Sequence, residues 1–62
     1  MDRVRYNTDL VFSIAKRTGL SLQDVIDRIY REGEGTAFDN AYSKRKRIGF
    51  EQMVEELSNN IN

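Results

Sequence analysis

The stretch that decides the fold runs from Ser21 to Arg31 and reads Ser-Leu-Gln-Asp-Val-Ile-Asp-Arg-Ile-Tyr-Arg. Its apolar residues recur at helical spacing, which predicts an amphipathic helix with one buried stripe and Tyr30 on its shoulder. The stripe consists of Leu22, Val25, Ile26 and Ile29. Ser21 precedes this helix and Asp24 follows three residues later, which is the pattern of an N-terminal capping box.

The same periodicity predicts further helices on both sides of this one. We expect Asn7 or Thr8 to cap the first helix, Gly19 to end it in a left-handed conformation, and Gly49 to precede the last helix. Residues 32–35 contain two glycines and should form a turn, after which Thr36 caps the third helix. The fold class is therefore all-α: a small bundle of about four short helices over residues 8–18, 22–31, 37–46 and 50–58.

The length predicts a single helical domain over residues 1–62. Its N-terminal arm, residues 1–6, is expected to be flexible, and its C-terminus, residues 59–62, to fray. A chain of 62 residues buries only about 60% of its unfolded surface, so its stability should be marginal. The chain has no cysteine to form a disulfide. Its size therefore favours homodimerisation or a bound partner.

The composition argues against an enzyme. The chain contains neither histidine nor cysteine, which removes the commonest general base and the usual zinc ligands. It has no nucleophile-elbow or phosphate-loop motif. We therefore expect no catalytic residues, no cofactor and no metal site.

The charge and hydropathy patterns argue against a membrane protein. Ten Lys and Arg balance ten Asp and Glu, so the chain has no global attraction to anionic surfaces. No apolar run approaches the ~20 residues that would span a bilayer. The missing cysteines and the missing export signal favour a cytoplasmic protein.

The candidate binding residues are a basic run and two aromatic residues. The run comprises Lys44, Arg45, Lys46 and Arg47. Cations at the C-terminal end of a helix interact favourably with its dipole, which explains part of this run. Four consecutive cations could also bind an acidic surface of a partner protein. Phe12 lies off the apolar stripe of its helix, and Tyr42 has a polar tip that suits an interface rim, so both are candidate anchors.

Residues 14–29 resemble the helix-turn-helix of LacI-type repressors. Ala15 would be the small residue where the two helices touch, Gly19 the turn and Val25 a core residue. The resemblance implies a dimeric regulator that binds duplex DNA through Ser21, Gln23 and Arg28, with the basic run on phosphates. Asp24 and Asp27 on the same helix would be repelled by the DNA backbone.

Residues 10–57 resemble a family of short, all-helical bacterial proteins of unknown function that accompany toxin-like partners. The resemblance rests on the spacing of Val25, Glu32-Gly33, Phe38, Tyr42, Gly49 and the segment 53–57. It implies an interaction protein, such as the neutralising member of a toxin–antitoxin pair. The leading hypothesis is therefore a non-enzymatic regulator that occludes an acidic partner protein, and the alternative is the DNA-binding dimer.

Overall fold

The computed structural model describes residues 2–33 and 36–61, and these residues form four helices. Helix α1 spans Arg3–Thr18, α2 spans Leu22–Gly33, α3 spans Thr36–Lys44 and α4 spans Phe50–Ile61. No strand occurs in these two ranges. The predicted all-α bundle of four short helices is therefore confirmed.

Helix α1 begins earlier than predicted. Asp2 is its N-cap, and the Asp2 carboxylate accepts a hydrogen bond from the Arg5 backbone N–H at 2.9 Å. Thr8 lies inside the helix, where its hydroxyl donates to the Val4 carbonyl oxygen at 2.8 Å. The prediction of a cap at Asn7 or Thr8 is therefore wrong, and residues 3–6 of the expected arm are helical. Tyr6 belongs to the buried core.

The turn between α1 and α2 follows the prediction closely. Gly19 has a φ of +79°, and its N–H donates to the Ala15 carbonyl oxygen at 2.9 Å. This left-handed conformation favours glycine because any Cβ would be strained there. Ser21 caps α2, since its Oγ accepts from the Asp24 backbone N–H at 3.1 Å. Helix α2 extends to Gly33, two residues beyond the predicted end at 31, so residues 32–33 of the predicted turn are helical instead. Residues 34–35 of that turn and the predicted capping by the Thr36 side chain lie outside the described residues.

Helices α3 and α4 also differ from the prediction at their ends. Helix α3 ends at Lys44, two residues early, and residues 45–47 form a turn in which the Arg47 N–H donates to the Lys44 carbonyl oxygen at 2.9 Å. Helix α4 extends to Ile61, whose side chain is buried. Residues 59–61, which were expected to fray, are thus the last turn of α4.

One hydrophobic cluster contains residues from all four helices, and α1 packs against each of the other three. The buried apolar residues are Tyr6, Leu10, Val11, Ile14, Val25, Ile29, Phe38, Ala41, Met53, Val54, Leu57 and Ile61. The prediction that Leu22 belongs to the buried stripe of α2 is wrong, because its side chain is exposed. Ile26 is only partly buried.

Candidate protein-interaction surface

Four large apolar side chains remain exposed among the described residues. Their exposed fractions are 76% for Val4, 56% for Phe12, 50% for Tyr30 and 40% for Leu22. Single exposed apolar residues are common on protein surfaces, whereas a contiguous group marks an interaction site. Phe12, Leu22 and Tyr30 form such a group because all three line one groove.

This groove, which we call the α1–α2 groove, has a volume of about 270 Å³. Side chains four residues apart lie on the same helix face, so each wall is a row along one helix. The α1 wall contains Asn7, Thr8, Val11 and Phe12, and the α2 wall contains Leu22, Ile26 and Tyr30. Phe38 of α3 also lines it, with its ring centroid 5.8 Å from that of Tyr30. Among the residues that the structure describes, no charged side chain lines the groove.

A second depression lies on the other side of Phe12 and has a volume of about 550 Å³. Phe12 and Arg45 both line it, although they are far apart in the sequence. The remaining lining residues are Tyr6, Asp9, Ser13 and Phe50. We call it the Arg45 depression. It combines aromatic rings with one cation and one carboxylate, and protein interfaces are enriched in aromatic residues and arginine.

Tyr42 holds the Arg45 side chain in place. The guanidinium carbon of Arg45 lies 3.8 Å from the centroid of the Tyr42 ring, within cation–π range. The Arg45 Nη1 also donates to the Tyr42 carbonyl oxygen at 2.7 Å. The Tyr42 ring packs edge-on against Tyr6, with centroids 5.6 Å apart. Arg45 is therefore a partly buried cation with a fixed orientation rather than a freely solvated one.

The rest of the basic run divides between two places. Lys46 and Arg47 are exposed in the turn that follows α3. Lys44 is exposed at the end of α3 and lines a different depression, together with Asn40 and Glu56. The structure thus brings Phe12, Tyr42 and Arg45 of the predicted partner-binding set together and places Lys44 elsewhere.

Outside the basic run, the residues predicted for DNA binding, Ser21, Gln23 and Arg28, all have partners within the chain. Ser21 caps α2, and the Gln23 Nε2 donates to the Asp27 Oδ1 at 2.9 Å. The Arg28 Nη1 donates to the Ile61 carbonyl oxygen at 3.0 Å, at the C-terminal end of α4. Asp24 and Asp27 are exposed on the same helix. The exposed side of α2 therefore combines carboxylates with an arginine that is already bound to the protein.

The titration of Tyr6 is perturbed by its position in the core. Burial raises the pKa of the Tyr6 hydroxyl above its ordinary value of 10.0, because the phenolate would be poorly solvated there. The positive charge of Arg45 acts in the opposite direction and lowers this pKa. The Tyr6 hydroxyl donates a long hydrogen bond of 3.5 Å to the Ala41 carbonyl oxygen.

Metal-binding clusters and membrane-spanning helices are both absent from the part of the chain that the structure describes. Within it, no three His, Cys, Asp or Glu residues are grouped so that they could hold a metal ion. None of the helices over 2–33 and 36–61 has the length and apolar character needed to cross a membrane.

Comparison with family models, with curated protein sequences and with solved structures finds no match to this chain. The two resemblances given above therefore remain predictions. Sequence reasoning missed the α1–α2 groove because it assigned Leu22 and Ile26 to the core. The groove could have been predicted from the width of the apolar stripe on α2. Five apolar residues between 22 and 30 make this stripe wider than the narrow stripe of a helix that contacts only the core.

Proposed function

We propose that this chain is a small non-enzymatic regulator that binds another protein, as an inhibitor or an antitoxin-like subunit in the cytoplasm. It would act by occluding an acidic surface of that partner. The observation that carries the proposal is the Arg45 depression, which is lined by both Phe12 and Arg45. Lys46 and Arg47 follow directly in the chain and are exposed.

The chemistry of this surface suits protein recognition. Aromatic residues and arginine dominate the energetic centres of protein interfaces, where a few side chains carry most of the binding energy. The contact between Arg45 and Tyr42 orders the Arg45 side chain in advance, so less conformational entropy is lost on binding. Exposed cations beside it would attract an acidic partner and accelerate its association.

The proposal of a binding function rather than catalysis rests on the side-chain inventory. The sequence contains no histidine and no cysteine. The carboxylates of Asp2 and Asp27 accept hydrogen bonds within the chain. Asp39 pairs with Arg3, and Glu55 lies 4.0 Å from Arg17. These roles are structural, whereas an active site needs polar groups that converge on one point.

The test is a binding experiment with matched charge variants. The tagged chain recovers its partner from cells that produce it, and the recombinant partner is then titrated by calorimetry. We expect Lys46→Glu combined with Arg47→Glu to raise the dissociation constant at least about tenfold, and Phe12→Ala to have a similar effect. The control, Arg17→Glu with Arg31→Glu, makes the same change in charge on exposed helix positions and should alter it less than about threefold.

Two results would contradict the proposal. One is a partner that binds the basic-run variant and the control variant equally well. The other is specific binding to duplex DNA, measured by fluorescence anisotropy, that weakens steeply with salt and changes its site preference with Gln23→Ala. The second result would favour the helix-turn-helix regulator instead.

A further inference from the structure

We infer that Arg45 binds a carboxylate side chain of the partner protein that lies next to an apolar side chain, and that Tyr42 positions Arg45 for this contact. The inference rests on the proposed function and specifies the partner's chemistry: an aspartate or glutamate beside a large apolar residue, both entering the Arg45 depression. Its basis is a guanidinium group that the chain orders but does not neutralise.

The Arg45 side chain has no carboxylate partner in the described part of the chain. Arg45 is half-buried, and its Nη1 donates to the Tyr42 carbonyl oxygen at 2.7 Å. Over residues 2–33 and 36–61, no ion pair joins Arg45 to an Asp or Glu, and its Nε and Nη2 donate no hydrogen bond. Charged groups that are removed from water are usually paired, because they lose hydration there. A carboxylate from another molecule would supply the missing partner.

Arg3 provides the comparison of an arginine that is neutralised. The Tyr42 ring contacts both arginines, with the Arg3 guanidinium carbon 5.7 Å and the Arg45 guanidinium carbon 3.8 Å from its centroid. Arg3 forms a salt bridge with Asp39. Arg45 lies closer to the ring and bonds only to a neutral carbonyl oxygen. Tyr42 therefore fixes the Arg45 side chain without compensating its charge fully.

A guanidinium group restrained in this way suits a carboxylate. Its planar fork can donate two parallel hydrogen bonds to the two carboxylate oxygens, which a lysine cannot do. Because the Tyr42 ring and carbonyl oxygen already hold the Arg45 side chain, little rotamer freedom is lost on binding. Tyr42 is therefore a positioning residue, which acts on the partner through Arg45.

The aromatic part of the depression requires the apolar side chain beside the carboxylate. Phe12 and Phe50 both line the depression, and Phe12 is 56% exposed. The volume of about 550 Å³ lies within the range of about 300–1,000 Å³ that is typical of ligand sites. A carboxylate alone would leave the two rings in water. A neighbouring apolar side chain would cover them, and removing apolar surface from water is favourable.

Asp9 limits the number of carboxylates that the depression accepts. Asp9 lines the depression and is half-buried, but it forms no ion pair with Arg45 among the contacts of the described residues. Its negative charge repels an incoming carboxylate at short range. The depression should therefore accept one carboxylate at Arg45 and an uncharged apolar side chain beside it.

The test titrates short blocked peptides into the full chain, isotope-labelled so that NMR follows the Arg45 Nε–Hε resonance. The probe is acetyl-Leu-Glu-Leu-amide, and we expect it to shift this resonance. The analogue acetyl-Leu-Gln-Leu-amide should bind at least about tenfold more weakly because it lacks the charge. Acetyl-Ser-Glu-Ser-amide should bind at least about threefold more weakly because it lacks apolar side chains. Equal binding of the probe and either analogue, or no shift at Arg45, would overturn the inference.

Variants of the chain test the roles of Arg45 and Tyr42, with binding followed at the Phe12 backbone amide. Arg45→Lys keeps the positive charge but loses the fork, and should weaken binding of the probe about fivefold or more. Tyr42→Leu should weaken binding about tenfold and make the Arg45 Nε–Hε group more mobile in relaxation measurements. Tyr42→Phe keeps the ring and should change both by less than about twofold. A folded Tyr42→Leu variant that binds the probe as the wild type does would show that Tyr42 does not position Arg45.

Asp9→Asn covers the case in which Tyr42→Leu fails to fold by circular dichroism. It removes the like charge from the depression and should strengthen binding of the probe about twofold. Weaker binding by Asp9→Asn, or unchanged binding by Arg45→Lys, would contradict the assignment of Arg45 as the carboxylate site.

The recovered partner protein separates this inference from the proposed function. If Lys46→Glu with Arg47→Glu weakens the partner and Arg45→Lys does not, the proposed function stands and the carboxylate site is wrong. If no partner protein binds while the glutamate peptide still shifts the Arg45 resonance, the carboxylate site stands and the proposed function is wrong.

Discussion

Helices α2 and α4 each contain 12 residues and one apolar stripe, yet the bundle covers the two stripes very differently. Met53, Val54, Leu57 and Ile61 of α4 are all buried. On α2, Val25 and Ile29 are buried, whereas Leu22 and Tyr30 are exposed. The apolar stripe of a helix therefore indicates which side faces the core, whereas the neighbouring helices determine how much of that stripe is buried.

The surplus apolar surface of α2 has a structural cause. Helix α3 contains only nine residues, and its Phe38 packs against Tyr30 without enclosing it. At the other end, Leu22 is the first residue of α2 and directly follows the short turn through Gly19. Arg28 connects α2 to the end of α4 through the Ile61 carbonyl oxygen. Helix α2 is thus anchored along its core side and open along the groove.

The largest expected effect is the difference between truncating a leucine in each stripe. Leu57→Ala removes a buried side chain from α4 and should cost about 2–4 kcal/mol of unfolding free energy. Leu22→Ala removes an exposed side chain and should cost less than about 1 kcal/mol when the chain is monomeric. Urea denaturation at low protein concentration measures both. Similar losses for the two variants would mean that the stripes are equally covered in solution.

Much of this fold could be predicted because its signals are local. Ser21 with Asp24, Gly19 and the apolar spacing of α4 each act within a few residues, and each was identified correctly. The start of α1 was missed because the cap at Asp2 lies among terminal residues that were expected to fray. The exposure of Leu22 could not be predicted, because it depends on how far α1 and α3 extend over α2 rather than on the sequence of α2 itself.

The candidate site was only partly predictable for the same reason. Phe12 is a candidate binding residue because it does not lie on the helix face that carries the apolar stripe of α1. Arg45 is a candidate because it belongs to the basic run. Their meeting in one depression depends on how α1 crosses the end of α3, which no local pattern encodes. The separation of Lys44 from Arg45 likewise results from the helix ending at Lys44. A run of charges in sequence therefore does not guarantee one charged patch in space.

A smaller effect is expected inside the stripe of α4, where one residue is polar. The Ser58 side chain is buried, and its Oγ has no hydrogen-bond partner among the described residues. Ser58→Ala should therefore stabilise the protein by about 0.5–1.5 kcal/mol, since an unsatisfied hydroxyl is removed and alanine favours the helix. Ser43→Ala, at an exposed position of α3, should show only the helix-propensity part, at most about 0.5 kcal/mol. Loss of stability in Ser58→Ala would indicate that this hydroxyl is bonded in solution.

The smallest effect concerns Tyr6, whose ring packs against Phe50 at the start of α4 with centroids 5.9 Å apart. Burial raises the pKa of Tyr6 in the folded state above 10.0, so the folded protein keeps this proton at a pH where the unfolded chain loses it. The stability contributed by Tyr6 is thus fully present below 10.0 and is lost as the pH rises through the folded-state pKa. Tyr6→Phe should make the unfolding free energy less dependent on alkaline pH.

Urea denaturation at a series of pH values between about 8 and 11 measures this dependence. At neutral pH, Tyr6→Phe should cost less than about 1 kcal/mol, because the bond that it removes, to the Ala41 carbonyl oxygen, is long. Tyr30→Phe removes a hydroxyl from an exposed ring of the groove and is the control. If Tyr6→Phe and the wild-type chain lose stability equally at alkaline pH, Tyr6 is not enclosed against α4 as the structure has it. The contrast between a covered α4 and a half-covered α2 would then be smaller in solution, because the start of α4 would also be open to water.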